Sequence, residues 1–395
     1  MYRSFSVARL PRIEFGEGAL ERVAGLAKGF GERVLLVTGA RSFMEGPHWP
    51  RLRAALEDQG LQWRHLAVAG EPSPELVDTA VSRFREADIQ VVIGVGGGSA
   101  LDAAKAVAGL LRTGHSVMDY LEGVGPELPY EGPSVPFLAV PTTAGTGSEA
   151  TKNAVLSRRG PDGFKKSFRH EQLVAQYAVV DPQLLTTCPR PVLAANGMDA
   201  LTQLLESYVS TRASPFTDAL NLAALADVRE ALLPLYHGGA RSPTARSRMA
   251  WAALISGVTL AQTGLGAVHG IAAPLGAFFP IPHGVACGAL VAAATAVNVE
   301  ALQTRAPQSP ALTRYARASE VLHERHFRSR DEALQRLIAR LESWTRALEL
   351  PRLADLGVRS TDLDHIVAHS RGNSMRTNPV ELTDAEIRAI LERSL

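Results

Sequence analysis

Cysteine is nearly missing from this chain: two in 395 residues, Cys188 and Cys287, far apart and with no metal-type or redox-type spacing to a partner. That excludes a disulfide-stapled scaffold and suits a reducing compartment, so a cytoplasmic location is expected. An excess of charge is missing too. With 41 Lys and Arg against 40 Asp and Glu, the net charge of +1 makes no electrostatic case for nucleic acid or an anionic membrane, and neither is expected as a partner. No apolar run reaches the roughly 20 residues needed to span a bilayer. The nearest, Gly284 to Val297, follows Pro280 and Pro282 and reads as a buried helix, and Met1 to Leu10 lacks an apolar core of signal-peptide length. What remains is a globular chain, 46% hydrophobic, long enough for about two or three domains.

The first half alternates short apolar runs with helix-compatible segments, which predicts a mostly parallel sheet covered by helices. Ser4 to Leu10 and Arg12 to Phe15 read as two short strands broken by Pro11; later strands are expected at Val34 to Thr38, Gln62 to Val68, Gln90 to Ile93, Phe137 to Val140, Asn153 to Ser157 and Ala178 to Val180. One stretch organises this half. Val91 to Val95 is a buried strand, Gly96-Gly97-Gly98 a turn with no Cβ to hold a ligand off, and Ser99 to Leu111 a helix with Ser99 as a suitable N-cap. A helix start of this kind attracts phosphate through unpaired backbone N–H groups and the positive end of the helix dipole. The bland alternative is an ordinary strand–turn–helix corner. A second loop, Pro141-Thr142-Thr143-Ala144-Gly145-Thr146-Gly147-Ser148-Glu149, places small hydroxyl residues among glycines at the end of the next strand, where a sugar or diphosphate can approach.

After Asp181 the texture changes to long alanine- and leucine-rich segments with little strand between them. The expected architecture is an α/β dinucleotide-binding domain over residues 1–182 and an all-helical domain over 183–395, with the site in the cleft between them. Within the helical part, Asp199 and Gln203 stand one turn apart on a helix that is otherwise apolar, and His269 and His283 flank an apolar segment containing Pro274, Pro280 and Pro282. A buried carboxylate needs donors or a cation, and with two histidines it makes a plausible divalent-metal constellation. Two other histidine pairs, His365 with His369 and His323 with His326, lie among charged residues and read as solvated.

In this order, the Gly96 to Asp102 turn, the Pro141 to Glu149 loop, the Asn196 to Glu206 helix and the His269 to His283 segment resemble the iron-containing, or group III, alcohol dehydrogenase family, related to dehydroquinate synthase. The resemblance spans nearly the whole chain. It implies an NAD(P)-dependent oxidoreductase interconverting an alcohol and an aldehyde or ketone by hydride transfer, with a maleylacetate-reductase-like carbonyl acid reductase or a catalytically impaired dinucleotide-binding protein as the alternatives. By motif position it implies that Gly96, Gly97, Gly98 and Ser99 hold the diphosphate, with Asp102, Thr142, Thr143, Thr146 and Lys165 nearby. It also implies Fe²⁺ or Zn²⁺ at Asp199, His269 and His283, which would carry the chemistry, with Gln203 or water completing the shell. The family's fourth ligand is a histidine where this chain has Gln203, and a histidine near the hydride-transfer position is replaced by Ala273. Gly39 stands where NAD-specific relatives often have Asp; without that carboxylate, and with Arg41 close by, NADP(H) is expected to be accepted or preferred. Phe164, Phe168, Phe278 and Phe279 are either core or an apolar wall; Asn153, Arg169, His170 and Arg376 are either surface groups or polar substrate contacts. A small alcohol or carbonyl is the expected substrate. The two N-terminal strands would leave an open sheet edge, so a homodimer is expected.

Overall fold

The computed structural model describes residues 4–160, 162–238 and 242–395. Its strands are β1 (Arg12–Phe15), β2 (Arg33–Gly39), β3 (Gln62–Val68), β4 (Val91–Gly96), β5 (Phe137–Pro141), β6 (Asn153–Arg158), β7 (Phe164–Arg169) and β8 (Tyr177–Val180). Six of them form one sheet in the order β1-β8-β5-β4-β2-β3, with every neighbouring pair parallel. Both faces of the central strands β2, β4 and β5 are covered, which is why these read as apolar runs, whereas the edge strands β1 and β3 carry polar residues among apolar ones. Leu35, Val37, Val92, Phe137 and Ala139 enter the core on one face; Val34, Leu36, Val91, Ile93, Leu138 and Val140 enter the core on the other. The helices α1 (Val23–Lys28) and α2 (Trp49–Asp58) supply residues to the second of these cores, and α3 (Pro74–Phe84) and α4 (Gly98–Leu110) to the first.

Chain direction across the sheet reverses at β2, which lies between β3 and β4. A crevice opens there beyond the carboxyl ends of the strands, the usual ligand position in an open parallel sheet. Gly39 closes β2 and Gly96 closes β4 on its two sides.

Beyond Val180 the described residues contain no strand. Nine helices follow: α5 (Arg190–Val209), α6 (Pro215–Gly238), α7 (Pro243–Thr263), α8 (Ala267–Phe278), α9 (His283–Arg305), α10 (Pro310–His323), α11 (Arg330–Ala347), α12 (Leu363–His369) and α13 (Asp384–Ser394). They share one large apolar core, which also takes in Ala144, Ala178 and Val180 from the sheet side. One helix, α9, is long and apolar enough to cross a membrane but is mostly buried in this core, as expected for its Gly284 to Val297 stretch.

Three expectations need correction. Ser4 to Leu10 is not a strand: among the described residues of that segment there is no regular structure, because β1 has a single neighbour, β8, and Pro11 breaks the chain just before it. Ser99 is not the N-cap of α4. The helix starts one residue earlier, with Gly97 in extended conformation at the cap and no side-chain cap bond. Asn153 to Ser157 is a strand, but it belongs to a separate antiparallel hairpin with β7, a strand not foreseen, rather than to the main sheet.

Candidate active site

The glycine corner is built by close packing. A Cβ on Gly98 would lie 2.7 Å from Cγ2 of Thr146, and one on Gly96 would lie 2.6 Å from Cβ of Ala100. Since Thr142 N–H also donates to the Gly96 carbonyl at 2.9 Å, the two glycine-bearing loops form a single surface. Two cavities meet on it. One, about 260 Å³, lies over the sheet crevice and is lined by Gly39, Gly96, Gly97, Thr142 and Thr143. The other, about 250 Å³, runs from Gly98, Ser99, Asp102 and Thr146 to Gln203, His269, Ala273 and His283 on the helical side. The expected nucleotide residues and the expected metal residues therefore face common space, although they come from opposite halves of the chain.

The β6–β7 hairpin forms a wall of this second cavity. By strand alternation, Asn153, Val155 and Ser157 on one strand and Lys165, Ser167 and Arg169 on the other line it, while Ala154, Leu156 and Phe168 point into the sheet-side core. Lys165 pairs with Glu71 at 2.7 Å, and Arg169 reaches Glu122 at 3.5 Å. None of Phe164, Phe168, Phe278 and Phe279 lines the cavity, and neither do His170 and Arg376. Phe168 is core, and Phe278 packs against a tilted His365 ring and edge to face with His369. The apolar lining comes instead from Pro72, Val155, Leu260, Leu265 and Ala273.

At the floor, Asp199 from α5, His269 from α8 and His283 from the first turn of α9 converge. His269 Nε2 lies 3.3 Å and His283 Nε2 lies 4.0 Å from Asp199 Oδ1. The spacing of the expected constellation is thus realised. A partner not foreseen joins it: Cys287, one turn after His283 on α9, places Sγ 3.8 Å from Nε2 of both histidines. The sequence treats Cys287 as partnerless because its only local link to the site is that one-turn spacing. All four donor atoms lie within 4.8 Å of one another. Gln203 stands beside this group, with its amide oxygen accepting from the Ser256 hydroxyl at 2.6 Å. The other two histidine pairs lie outside the cluster.

The electrostatics of this floor call for a cation. Asp199 is fully buried, and its Oδ2 has no hydrogen-bond partner among the described residues. Burial pushes its carboxyl up, but His283 and His269 outweigh this and hold it below the ordinary range. His269 Nδ1 faces the buried Glu206 carboxylate at 2.6 Å, which leaves Nε2 turned toward Asp199. Burial pulls His269 down, yet Cys287 and Glu206 raise it well above its usual value. Two buried carboxylates around one imidazole demand positive charge there. Burial, reinforced by Lys165, lowers His283 to about 4 and so keeps it in the neutral form that ligates metal, while burial pushes the Cys287 thiol up to about 12. A carboxylate, two imidazoles and a thiol, with one carboxylate oxygen unsatisfied, are a donor set that fits a divalent ion.

Sequence reasoning also missed Lys105. It is wholly buried on α4, where its ammonium donates to Ser148 O at 2.8 Å and Asn153 O at 2.7 Å, with the Asp102 carboxylate 3.8 Å away. Asp102 accepts from the Ser148 hydroxyl at 2.5 Å. This network fixes the second loop to the helix that starts at the glycine corner.

The chain matches the family model "Iron-containing alcohol dehydrogenase" over residues 11–182 and "Fe-containing alcohol dehydrogenase family, C-terminal" over residues 193–395. It is 32% identical to "Alcohol dehydrogenase 4" of Saccharomyces cerevisiae over 98% of this chain and 97% of that protein. It is 33% identical to "Long-chain-alcohol dehydrogenase 1" of Geobacillus thermodenitrificans over 98% and 96%. Among solved structures, an archaeal halo-thermophilic alcohol dehydrogenase from a Red Sea brine pool superposes with a TM-score of 0.91 at 26% identity, covering 100% of this chain and 99% of that one. With both halves matched and full-length relatives above 30% identity, this chain belongs to the iron-containing alcohol dehydrogenase family.

Proposed function

We propose that this protein interconverts a small alcohol and its aldehyde or ketone, with the coenzyme diphosphate on Gly96 to Ser99 and the reacting carbon in the cavity that ends at His269 and His283. The single observation behind this reading is that cavity, which joins an uncapped helix start to a buried carboxylate–histidine cluster. When bound, the nicotinamide gives or takes the hydride, and a divalent ion at Asp199, His269 and His283 supplies Lewis acidity toward the substrate oxygen. The chain's own residues do the rest. The N–H groups at the start of α4 meet the diphosphate, with Thr142, Thr143 and Thr146 beside them and Asp102 tied to the second loop. Glu206 orients His269, and Pro72, Val155, Leu260 and Leu265 keep water from the reacting carbon. Ala273 holds no titratable group, so the alcohol proton must leave by way of water and the hydroxyls of the cavity wall.

The cavity cations argue for a neutral substrate over a carbonyl acid, because Lys165 and Arg169 each already face a carboxylate. On the coenzyme side, no acidic residue lines the cavity that contains Gly39, so a 2′-phosphate meets no repulsion there, and Arg41 lies exposed nearby. We therefore assign NADP(H) as accepted, with the dinucleotide domain at residues 1–182 and the metal and substrate domain at 183–395. Both cysteines are free thiols, which suits a reducing compartment such as the cytoplasm.

The test is a carbonyl panel run with NADPH and NADH, and an alcohol panel run with NADP⁺ and NAD⁺, on chelator-treated enzyme, with and without added Fe²⁺, Zn²⁺, Mn²⁺ or Mg²⁺. We expect turnover of short, uncharged substrates that depends on added metal, with catalytic efficiency for NADPH at least equal to that for NADH. Coenzyme binding without any turnover across the panel would overturn the enzymatic reading.

A further inference from the structure

Resting on the proposed metal floor, a second question is which atom takes its fourth corner. Gln203 has its polar atoms engaged elsewhere: the oxygen accepts from Ser256 Oγ on α7 at 2.6 Å, and the amide nitrogen reaches the Thr146 carbonyl at 3.5 Å. It ties α5 to α7 and to the second loop. Among the described residues Cys287 has no such engagement outside the cluster. It is wholly buried, and its sulfur sits equally far, 3.8 Å, from the metal-facing nitrogens of His269 and His283. Metal–ligand bonds of about 2.0 to 2.3 Å at tetrahedral angles place donors roughly 3.3 to 3.8 Å apart. Four of the six separations here are 3.3, 3.8, 3.8 and 4.0 Å, and all six lie within 4.8 Å. Independently, the wholly buried Asp199 Oδ2 has no protein partner.

We propose that Cys287, not Gln203, is the fourth protein ligand, giving an Asp199–His269–His283–Cys287 site that prefers zinc over iron(II), manganese or magnesium. Softness carries the preference: thiolate favours thiophilic ions, whereas replacing a family histidine by an amide oxygen would favour oxygen-seeking ones. On binding, the S–H bond is exchanged for an S–metal bond and the proton leaves to solvent, so uptake releases one proton from this residue. Asp199 and Cys287 are buried behind the cavity wall, and His269, His283 and Gln203 line it, so a substrate oxygen would join from the histidine face as a fifth ligand.

Cobalt(II) reads this out without any turnover. The full-length protein, stripped by a chelator and reloaded with one equivalent of Co²⁺, is expected to show thiolate-to-cobalt charge-transfer absorption in the near ultraviolet. The band should persist in Gln203→Ala and in Cys188→Ser, which removes the other thiol, and vanish in Cys287→Ser. Zinc affinity, measured by competition with a chromophoric chelator, should fall by about a hundredfold in Cys287→Ser and much less in Gln203→Ala. Stoichiometric cobalt binding without the band in the parent protein would overturn the Cys287 assignment and leave the metal floor standing. Failure of the parent to bind cobalt at all would sink the floor itself. The parent spectrum decides between these even if Cys287→Ser does not fold.

Discussion

Glu206 decides which nitrogen of His269 faces the cluster, since its carboxylate takes Nδ1 at 2.6 Å and is itself anchored by the Val268 N–H at 2.7 Å. A carboxylate behind a ligating imidazole fixes its orientation and raises its basicity. Glu206→Gln is therefore expected to weaken zinc binding about 10- to 100-fold, read by chelator competition, while circular dichroism stays that of the parent. Glu149 makes a different prediction. Burial lifts its carboxyl from 4.5 to about 7, above its unfolded value, so the folded protein holds that proton more tightly than the unfolded chain does. Its stability contribution is whole below 4.5, falls as pH rises, and is lost once pH passes about 7. Glu149→Gln should flatten the decline of melting temperature with pH across that window; an unchanged slope would refute it. Asp199, His269 and His283 were legible in the sequence because a carboxylate and two histidines stand out in apolar surroundings. Glu206 and Cys287 were not, because the first looks like an ordinary helix acid and the second like core filler until α5, α8 and α9 are packed together.

The joint between the two halves is held by one element meeting another backbone to backbone. Gly147, at φ +60° in the second loop, and Gly257 on α7 are so close that a Cβ on Gly257 would sit 2.2 Å from the Gly147 carbonyl oxygen. No flexible side chain is there to yield, so the loop or the helix would have to move. Gly257→Val is expected to cost about 1 to 3 kcal/mol in denaturant unfolding, and more than the same change at Gly25, where an added Cβ meets nothing within 4 Å. The central strands of the main sheet were readable as elements because both of their faces bury side chains and their runs are mostly apolar. The strand Phe164–Arg169 was hidden, since Phe-Lys-Lys-Ser-Phe-Arg shows no alternation of apolar and polar residues, and its cavity face is built of Lys165, Ser167 and Arg169. Helix α8 was obscured by its internal Pro274.

At the scale of the whole molecule, parallel sheet and helical lobe were foreseeable from the change of texture near Asp181, but the sheet edge was only half foreseen. Among the described residues β1 is paired on one side alone, and residues 4–11 before it run without regular structure, their order marked by the Ala8 N–H donating to Gln262 Oε1 at 2.6 Å. Phe5 and Val7, two residues apart and so on one side of an extended chain, are 50% and 46% exposed, and Ile13 on the edge strand is 37% exposed. An apolar, unpaired segment beside an open edge is an aggregation hazard for a monomer and a pairing surface for a second copy. A twofold dimer that pairs these segments would bury them and supply the missing hydrogen bonds. Light scattering is therefore expected to give twice the chain mass, and a Phe5→Asp, Val7→Lys double variant should weaken the dimer by at least about tenfold, the equivalent of roughly 1.4 kcal/mol. Because neither residue touches the cavity, the variant's coenzyme affinity should be unchanged; a parent protein that runs as a monomer would mean that this edge is protected by something other than a second chain.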